Sequence, residues 1–377
     1  MTVAGLIFSN LHDSAAPELT TKRTLASVPF GCRYRLIDFP LSNMVNSGIT
    51  KVGIITHNNY QSLVDHISTG KDWDLARRSG GIKILPPFIT AYDSQMSGIR
   101  SGTYLESLVG VTNFIARCTE DVIVLSDSDG ICNIDLTDVL KAHGKSGADI
   151  TIVTTDYTFA DHEDIPFSAN AVESDPEGNV TDIRKLVGDE RSATITTNII
   201  VANRLFLLNQ INGAAARGYS ELYRDVIKRC IGNCKIRTYH FDGTYILISS
   251  LRTYFEASMK LLDKDVRNEL LTTERPIYTK VRNSAPTVYT SDAKVKNSYV
   301  ADGCILEGEV ENCIIFRGVK VGKGSKLRNC VLLQDTDVGD NVMMNCVVTD
   351  KNVTIRDGRM LSGHETMPFF LAKGVEV

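Results

Sequence analysis

The last ninety or so residues repeat a short unit, and that repeat leaves few folds open. The segments KNSYV (296–300), ENCII (311–315), RNCVL (328–332) and MNCVV (344–348) set Asn297, Asn312, Asn329 and Asn345 at intervals of 15, 17 and 16 residues. Between them, VGKGSKL and VGDNVMM are near copies of one six-residue unit, with aliphatic residues at short steps and small residues at the turns. A unit this small cannot bury its own apolar face, so it must stack on its neighbours. Three faces of about six residues per coil predict a left-handed parallel β-helix over residues 286–377. Cys313, Cys330 and Cys346 are then expected in one interior column rather than around a metal. Acyl transfer on such coils needs an exposed histidine base. None lies between 286 and 363, and His364 follows the last unit, which argues instead for subunit contacts and regulation.

Up to about residue 245 the period is different. Val3–Phe8, Val52–Thr56, Val122–Ser126, Asp149–Thr155 and Ile195–Val201 are short apolar runs, as strands covered on both faces must be. Helical patterns lie between them: Pro40 opens one that Gly48 ends, and residues 102–116 carry apolar positions at helical spacing. The alternation predicts an α/β fold with a mostly parallel, Rossmann-like sheet, and ligands beyond the carboxyl ends of its strands.

Composition narrows the partners. A net charge of -4 with no long charged block argues against nucleic acid, and no apolar run is long enough for a membrane span. The N-terminus lacks a basic segment and a long apolar core, so a cytoplasmic location is expected. Nine dispersed cysteines fit reduced, buried thiols, and Cys230 with Cys234 alone is weak support for zinc.

The first strand ends in Ser9-Asn10-Leu11-His12-Asp13, with no glycine between Gly5 and Gly31. A phosphate cradle at such a turn normally needs glycine, because a Cβ blocks close approach of the backbone. Downstream come SVPFGCRYRLIDFPLSN (27–43), NSGITKVGIITHNNYQSLVDHI (46–67), WDLARRSGGIKILPP (73–87), SGT (101–103) and NID (133–135). With the terminal β-helix, these segments resemble the bacterial glucose-1-phosphate adenylyltransferase (ADP-glucose pyrophosphorylase) family over essentially the whole chain. The resemblance implies a nucleotidyltransferase domain at 1–245, a helical connection at 246–285 and the β-helix at 286–377. It also implies the reaction of ATP with glucose 1-phosphate to give ADP-glucose and pyrophosphate, with Mg²⁺ held by aspartates.

The parts that the family uses are largely replaced here. Its glycine pair falls on Asn10 and Leu11, its third glycine on Asp13 and its loop arginine on Ala15. RTLASVPFG keeps Arg23 but puts Leu25 at the phosphate-facing lysine, while GTYILISS puts Ile246 and Leu247 at a lysine and a metal-binding aspartate. The other family aspartate corresponds to Asp127 or Asp129. On the sugar side, DIRKLVGDE (182–190) keeps Arg184 and Lys185 without the family's Glu-Lys pair, and Thr196-Thr197-Asn198 replaces Ser-Met-Gly.

The chain therefore resembles the non-catalytic, GlgD-type regulatory subunits of that family. The resemblance implies a partner, the catalytic adenylyltransferase subunit, in a hetero-oligomer, with a tetramer expected and a homo-oligomer possible for the chain alone. No cofactor is expected for this subunit, and Mg²⁺ is expected in the catalytic partner. Two alternatives stay open: an active sugar-phosphate nucleotidyltransferase with an altered loop, and a stand-alone sugar-phosphate or nucleotide sensor. No intact catalytic or metal residue is expected. Remaining substrate-binding candidates are Arg23, Gly102, Thr103, Lys185 and Thr196. Asp127 and Asp129 are expected as a solvated turn at a strand end, with metal binding as the alternative. His12 is expected at the surface, Trp73 in packing, and Arg77 with Arg78 in a solvated loop, the alternative there being a phosphorylated effector.

Overall fold

The computed structural model describes residues 1–86, 102–160, 165–166, 168–186 and 190–377. Its N-terminal half is built on a nine-stranded sheet. In chain order the elements that matter are β1 (Val3–Phe8), α1 (Asp38–Asn46), β2 (Lys51–Ile55), β3 (Gly81–Leu85), α2 (Tyr104–Gly110) and β4 (Val122–Ser126). They are followed by β5 (Gly130–Ile131), β6 (Ile150–Thr158), β7 (Asn170–Ser174), β8 (Val180–Lys185), β9 (Ser192–Asn203), β10 (Ile236–His240), β11 (Ile246–Leu247) and α3 (Leu251–Lys260). The order across the sheet is β8-β7-β9-β4-β1-β2-β3, with β6 pairing β9 and β10.

The expected parallel arrangement holds from β3 through β2 and β1 to β4. Beyond β4 the strand β9 runs antiparallel to both β4 and β6, with its register broken between Thr196 and Ile200. Buried strands such as IIVA in β9 are apolar on both faces whichever way they run, so an apolar run does not encode direction. The stretch 102–116 divides into α2 and a second short helix, Thr112–Arg117, parted at Val111. Pro40 lies inside the first turn of α1, which begins two residues earlier at Asp38.

The C-terminal repeats form three five-stranded parallel sheets, the walls of the expected β-helix. Leu306, Val321, Val338 and Ile355 stack in one wall and Val310, Leu327 and Met344 in the next, all buried. At one corner Asn297, Asn312 and Asn329 take left-handed backbone angles, a conformation that asparagine tolerates. Their amides form a ladder: Asn297 donates to Asn312 (2.7 Å), Asn312 to Asn329 (3.3 Å) and Asn329 to Asn345 (3.3 Å).

The last coil departs from the expected register by one residue. Asn345 lies in a strand opposite Arg328, and the left-handed corner falls on Cys346. The interior column is accordingly Cys313, Cys330 and Val347, while Cys346 packs outward against the N-terminal half. All nine cysteines are free thiols, eight of them buried, and Cys234 is partly exposed. Among the described residues no helix is long and apolar enough to cross a membrane.

The segment 27–43 holds the two halves together. Pro29–Phe30 pairs antiparallel with Tyr34–Arg35 across a tight turn at Gly31 and Cys32, both with positive φ. Tyr254 on α3 donates its hydroxyl to the Pro29 carbonyl (2.7 Å), and the Cys32 thiol lies 3.0 Å from the carbonyl oxygen of Tyr299 on the β-helix. Leu25, Phe30, Leu36 and Phe39 share one apolar core with Tyr254, Phe255 and the β-helix residues Ile314, Phe316, Val331 and Leu333. Beside that core, Arg23 grips both carboxylate oxygens of Asp350 at 2.7 Å, with 3% and 5% of the two side chains exposed.

Lys351 follows Asp350 in this crowded place. Burial, then the cations Arg35, Arg23 and Arg282, depress its amine to about 7 against the opposing pull of Asp350. The unfolded chain holds that proton up to the ordinary value of 10.5, so Lys351 costs stability fully below pH 7, and the cost shrinks as pH climbs toward 10. Lys351→Met is therefore expected to raise the melting temperature most at pH 6 and least near pH 10. Paired thermal melts across that range check this, and a gain that grows with pH would contradict the burial of a charged amine here.

Candidate functional site

A cavity of about 240 Å³ opens beyond the carboxyl ends of β1 and β4. Parallel pairing of these neighbours sets Ile7 beside Ser126, so the turns that follow them meet. His12 comes from the first turn and Asp127 and Asp129 from the second. His12 Nε2 is 3.0 Å from Asp127 Oδ2 and 3.5 Å from Asp129 Oδ2. The Tyr104 hydroxyl on α2 donates to the same Asp127 oxygen (2.5 Å) and lies 3.0 Å from His12 Nε2. The second Asp127 oxygen accepts the Ser128 N–H at 2.6 Å.

Neither the solvated aspartate turn nor the surface histidine survives. Asp127 is 5% exposed and Asp129 1%, and His12 is drawn inward onto them. Burial disfavours an imidazolium, but the two carboxylates outweigh it and raise His12 to about 9. Burial first, then repulsion from Asp127, pushes the Asp129 carboxyl up. Asp13 is not among the residues that line the cavity. Its Oδ1 accepts the Leu25 N–H (2.6 Å), and burial lifts the carboxyl to about 7 against that bond.

Gly102, Thr103 and Lys185 line the cavity together with His12, Ser14, Asn170, Glu221 and Tyr223. Thr103 also caps α2, accepting the Glu106 N–H (3.3 Å), and donates its hydroxyl to the Ser220 carbonyl (2.6 Å). Lys185 ends β8, where burial lowers its amine and Glu221 opposes that shift. Thr196 lies beneath rather than in the cavity, donating its hydroxyl to that of Tyr223 (3.3 Å), which in turn donates to Asn198 (3.0 Å). Arg23 is not brought here at all, because its guanidinium is committed to Asp350.

Arg184 forks onto Glu190 at 2.6 and 2.7 Å, away from the cavity, and Arg77 pairs with Asp74 at an exposed turn. Trp73 is buried against His66, in accord with packing. Ser101 and residues 187–189, parts of the segments on which the resemblance draws, lie outside the described residues, as does Pro87.

Tyr104, Glu221 and Tyr223 belong to the site and were not singled out from sequence. Glu221 precedes a wide π-helical turn at Leu222–Ile227, a local geometry often found at functional sites. No sequence pattern signals that turn, whereas the convergence of His12 with the aspartates follows once two adjacent parallel strands are recognised.

Across 373 residues the chain is 34% identical to the glycogen biosynthesis protein GlgD of Bacillus subtilis (strain 168), covering 98% of this chain and 96% of that protein. The chain belongs to the GlgD family. GlgD of Geobacillus stearothermophilus is likewise 34% identical, over 321 residues, covering 85% and 81% of the two chains. A glucose-1-phosphate adenylyltransferase of Bacillus thuringiensis (strain Al Hakam) is 28% identical over 347 residues, covering 91% and 90%. Residues 17–167 match the model of the nucleotidyl transferase family, and residues 284–366 that of the GlmU-like C-terminal hexapeptide family.

In this GlgD-family chain the positions at which the resemblance expects a lysine or an aspartate lie in the core. Leu25 and Ile246 join the apolar cluster shared with the β-helix, and Leu247 packs with Phe159, Ala169 and Ile195. Leu247 is 2% exposed and pairs in β11 with Gly130, next to Asp129. Mg²⁺ takes oxygen ligands in octahedral array. Leu247 offers no oxygen, and the Asp127 oxygen facing the cavity already engages both Tyr104 and His12. The residues present do not fit Mg²⁺. Leu247→Asp alone would bury a carboxyl among apolar neighbours and is expected to destabilise the chain by roughly 3 kcal/mol or more. Chemical denaturation measures this, and a loss below about 1 kcal/mol would mean that the position still tolerates a metal-type ligand.

Proposed function

We propose that this chain is a regulatory subunit of a glucose-1-phosphate adenylyltransferase in glycogen synthesis, with little or no catalysis of its own. The observation that carries this reading is the absorption of Leu25, Ile246 and Leu247 into apolar packing while the surrounding framework persists. Phosphoryl transfer needs cationic and metal stabilisation of charge on the triphosphate. Three apolar residues cannot supply it. The names of the relatives, glycogen biosynthesis protein GlgD and glucose-1-phosphate adenylyltransferase, support the pathway and the partner.

The proposed partner is the catalytic paralogue in a hetero-oligomer, with a tetramer as the expected form, in the cytoplasm. Mg²⁺ would belong to the catalytic subunit. The cavity keeps Lys185, Thr103, Asn170 and Glu221, a mixed lining that suits the hydroxyls and phosphate of a sugar phosphate or nucleotide held without turnover.

The test is pyrophosphate release from ATP, glucose 1-phosphate and Mg²⁺ by this chain alone, by the catalytic paralogue alone and by the two mixed. The expected outcome is silence from this chain alone and an altered rate or substrate affinity in the mixture. Robust turnover by this chain alone would overturn the reading, and an unchanged mixture with no co-elution would leave the stand-alone sensor in its place.

A further inference from the structure

We propose that Cys234 is a site of thiol–disulfide exchange with a small peptide disulfide of the glutathione type, and that Cys230 resolves the adduct into an intrachain disulfide. The inference is independent of the regulatory reading. Cys230 ends a short helix, Lys228–Cys230, and the chain turns back at once. Its carbonyl accepts the N–H of Asn233 (3.0 Å) and of Cys234 (2.9 Å), with Gly232 in the left-handed region at φ 83°. A turn closed from its first to its fifth residue holds its ends within the span of a disulfide, about 4.4–6.8 Å at Cα. The two thiols lie close enough to hydrogen-bond with each other.

Access separates their roles. Cys234 is partly exposed, whereas the other eight cysteines are buried. It lines an open cavity of about 580 Å³ together with Lys235, Asp175, Asn179 and Thr181. That lining sets a cation beside a carboxylate and polar neutral groups, which suits the carboxylates and ammonium of a small peptide. Cys230 is out of reach of such a reagent. Burial, then the neighbouring Cys234 sulfur, holds its thiol up at about 12, and the second of these causes ends once Cys234 is bonded.

In the first step the Cys234 thiolate attacks one sulfur of the peptide disulfide, forming a new S–S bond while one peptide thiolate leaves. In the second the Cys230 sulfur gives up its proton, attacks Cys234 Sγ and expels the remaining peptide thiol. Two protein thiols are oxidised, and one external disulfide is reduced to two thiols. The ring closes at the end of the segment whose start, Glu221 with Tyr223, lines the first cavity.

The test incubates the full chain with oxidised glutathione at pH 8 and weighs its tryptic peptides. Cys230 and Cys234 share the peptide Cys230–Lys235, which is expected to become two hydrogens lighter and to recover its mass in dithiothreitol. The other seven cysteines are expected to react at least roughly tenfold more slowly, because they are buried. Cys230→Ser is expected to halt at the adduct, with one glutathione on Cys234, and Cys234→Ser to leave Cys230 unmodified. A peptide of unchanged mass in the unaltered chain would overturn the proposal. So would an adduct on Cys234 that the unaltered chain never resolves, or oxidation of another cysteine first.

Discussion

The contact between the N-terminal sheet and the β-helix determines what the rest of the chain can be. It consists of one shared apolar core and, at its side, the buried ion pair in which Arg23 Nη2 donates to both oxygens of Asp350. Breaking such a pair from one side leaves a charge uncompensated in a dry place, a loss of about 3–5 kcal/mol. The hairpin at Pro29–Arg35 is the wedge between the halves, tied by Tyr254 from α3 and by Cys32 to the β-helix. That explains a pattern otherwise puzzling in a chain with so altered a pocket. The long motif from residue 27 to 43 is architecture: it supplies the hairpin and apolar side chains that join the halves.

Leu25, Ile246 and Leu247, the positions at which the resemblance expects catalytic groups, contribute packing to this core and its neighbour. A lysine or aspartate at Leu25, Ile246 or Leu247 would need water, a phosphate or a metal beside it. Leucine and isoleucine there need only neighbours, and burying each such side chain is worth roughly 1.5–3 kcal/mol. Active sites hold charged groups at a cost in stability, so under the regulatory reading a chain without catalytic work can avoid that cost. The first-strand turn shows the same economy. Asp13 spends its carboxyl on the Leu25 amide, and His12 spends its ring on two aspartates. Both residues bind the chain to itself where a phosphate loop would bind a ligand.

How much of this was legible depended on whether the information is local. The β-helix could be read because each coil repeats its neighbour. The one slip, Asn345 for Cys346, arose because the asparagine repeat shortens by one residue while the strand register keeps its step of 17 from Arg328 to Asn345. Strands β1, β2, β4, β6 and β9 fall where the apolar runs lie, yet the antiparallel course of β9 is invisible to composition. At the site, His12 and the aspartates read as ordinary residues when each is taken alone. A lone histidine in a turn is a surface residue by default, and two aspartates at a strand end are solvent by default. Their meeting is a property of adjacent parallel strands, and only the pairing of β1 with β4 makes it visible. Arg23 failed in the opposite way: a basic residue near a phosphate loop suggested a ligand, but its partner Asp350 lies 327 residues away.

The arrangement also connects the cavity to the surface on which the halves meet. His12 lines the cavity, its neighbour Asp13 holds the Leu25 amide, and the Leu25 side chain lies in the core shared with the β-helix. Two residues before Leu25, Arg23 anchors Asp350. A ligand that moved the first-strand turn would therefore pull on a segment fixed at both ends to the β-helix. Under the regulatory reading this continuity matters more than catalytic power. A ligand shifts an equilibrium only by binding two arrangements unequally, and turnover would discard it. A pocket that holds its ligand intact, with a short path to the β-helix, keeps its binding free energy available for that bias.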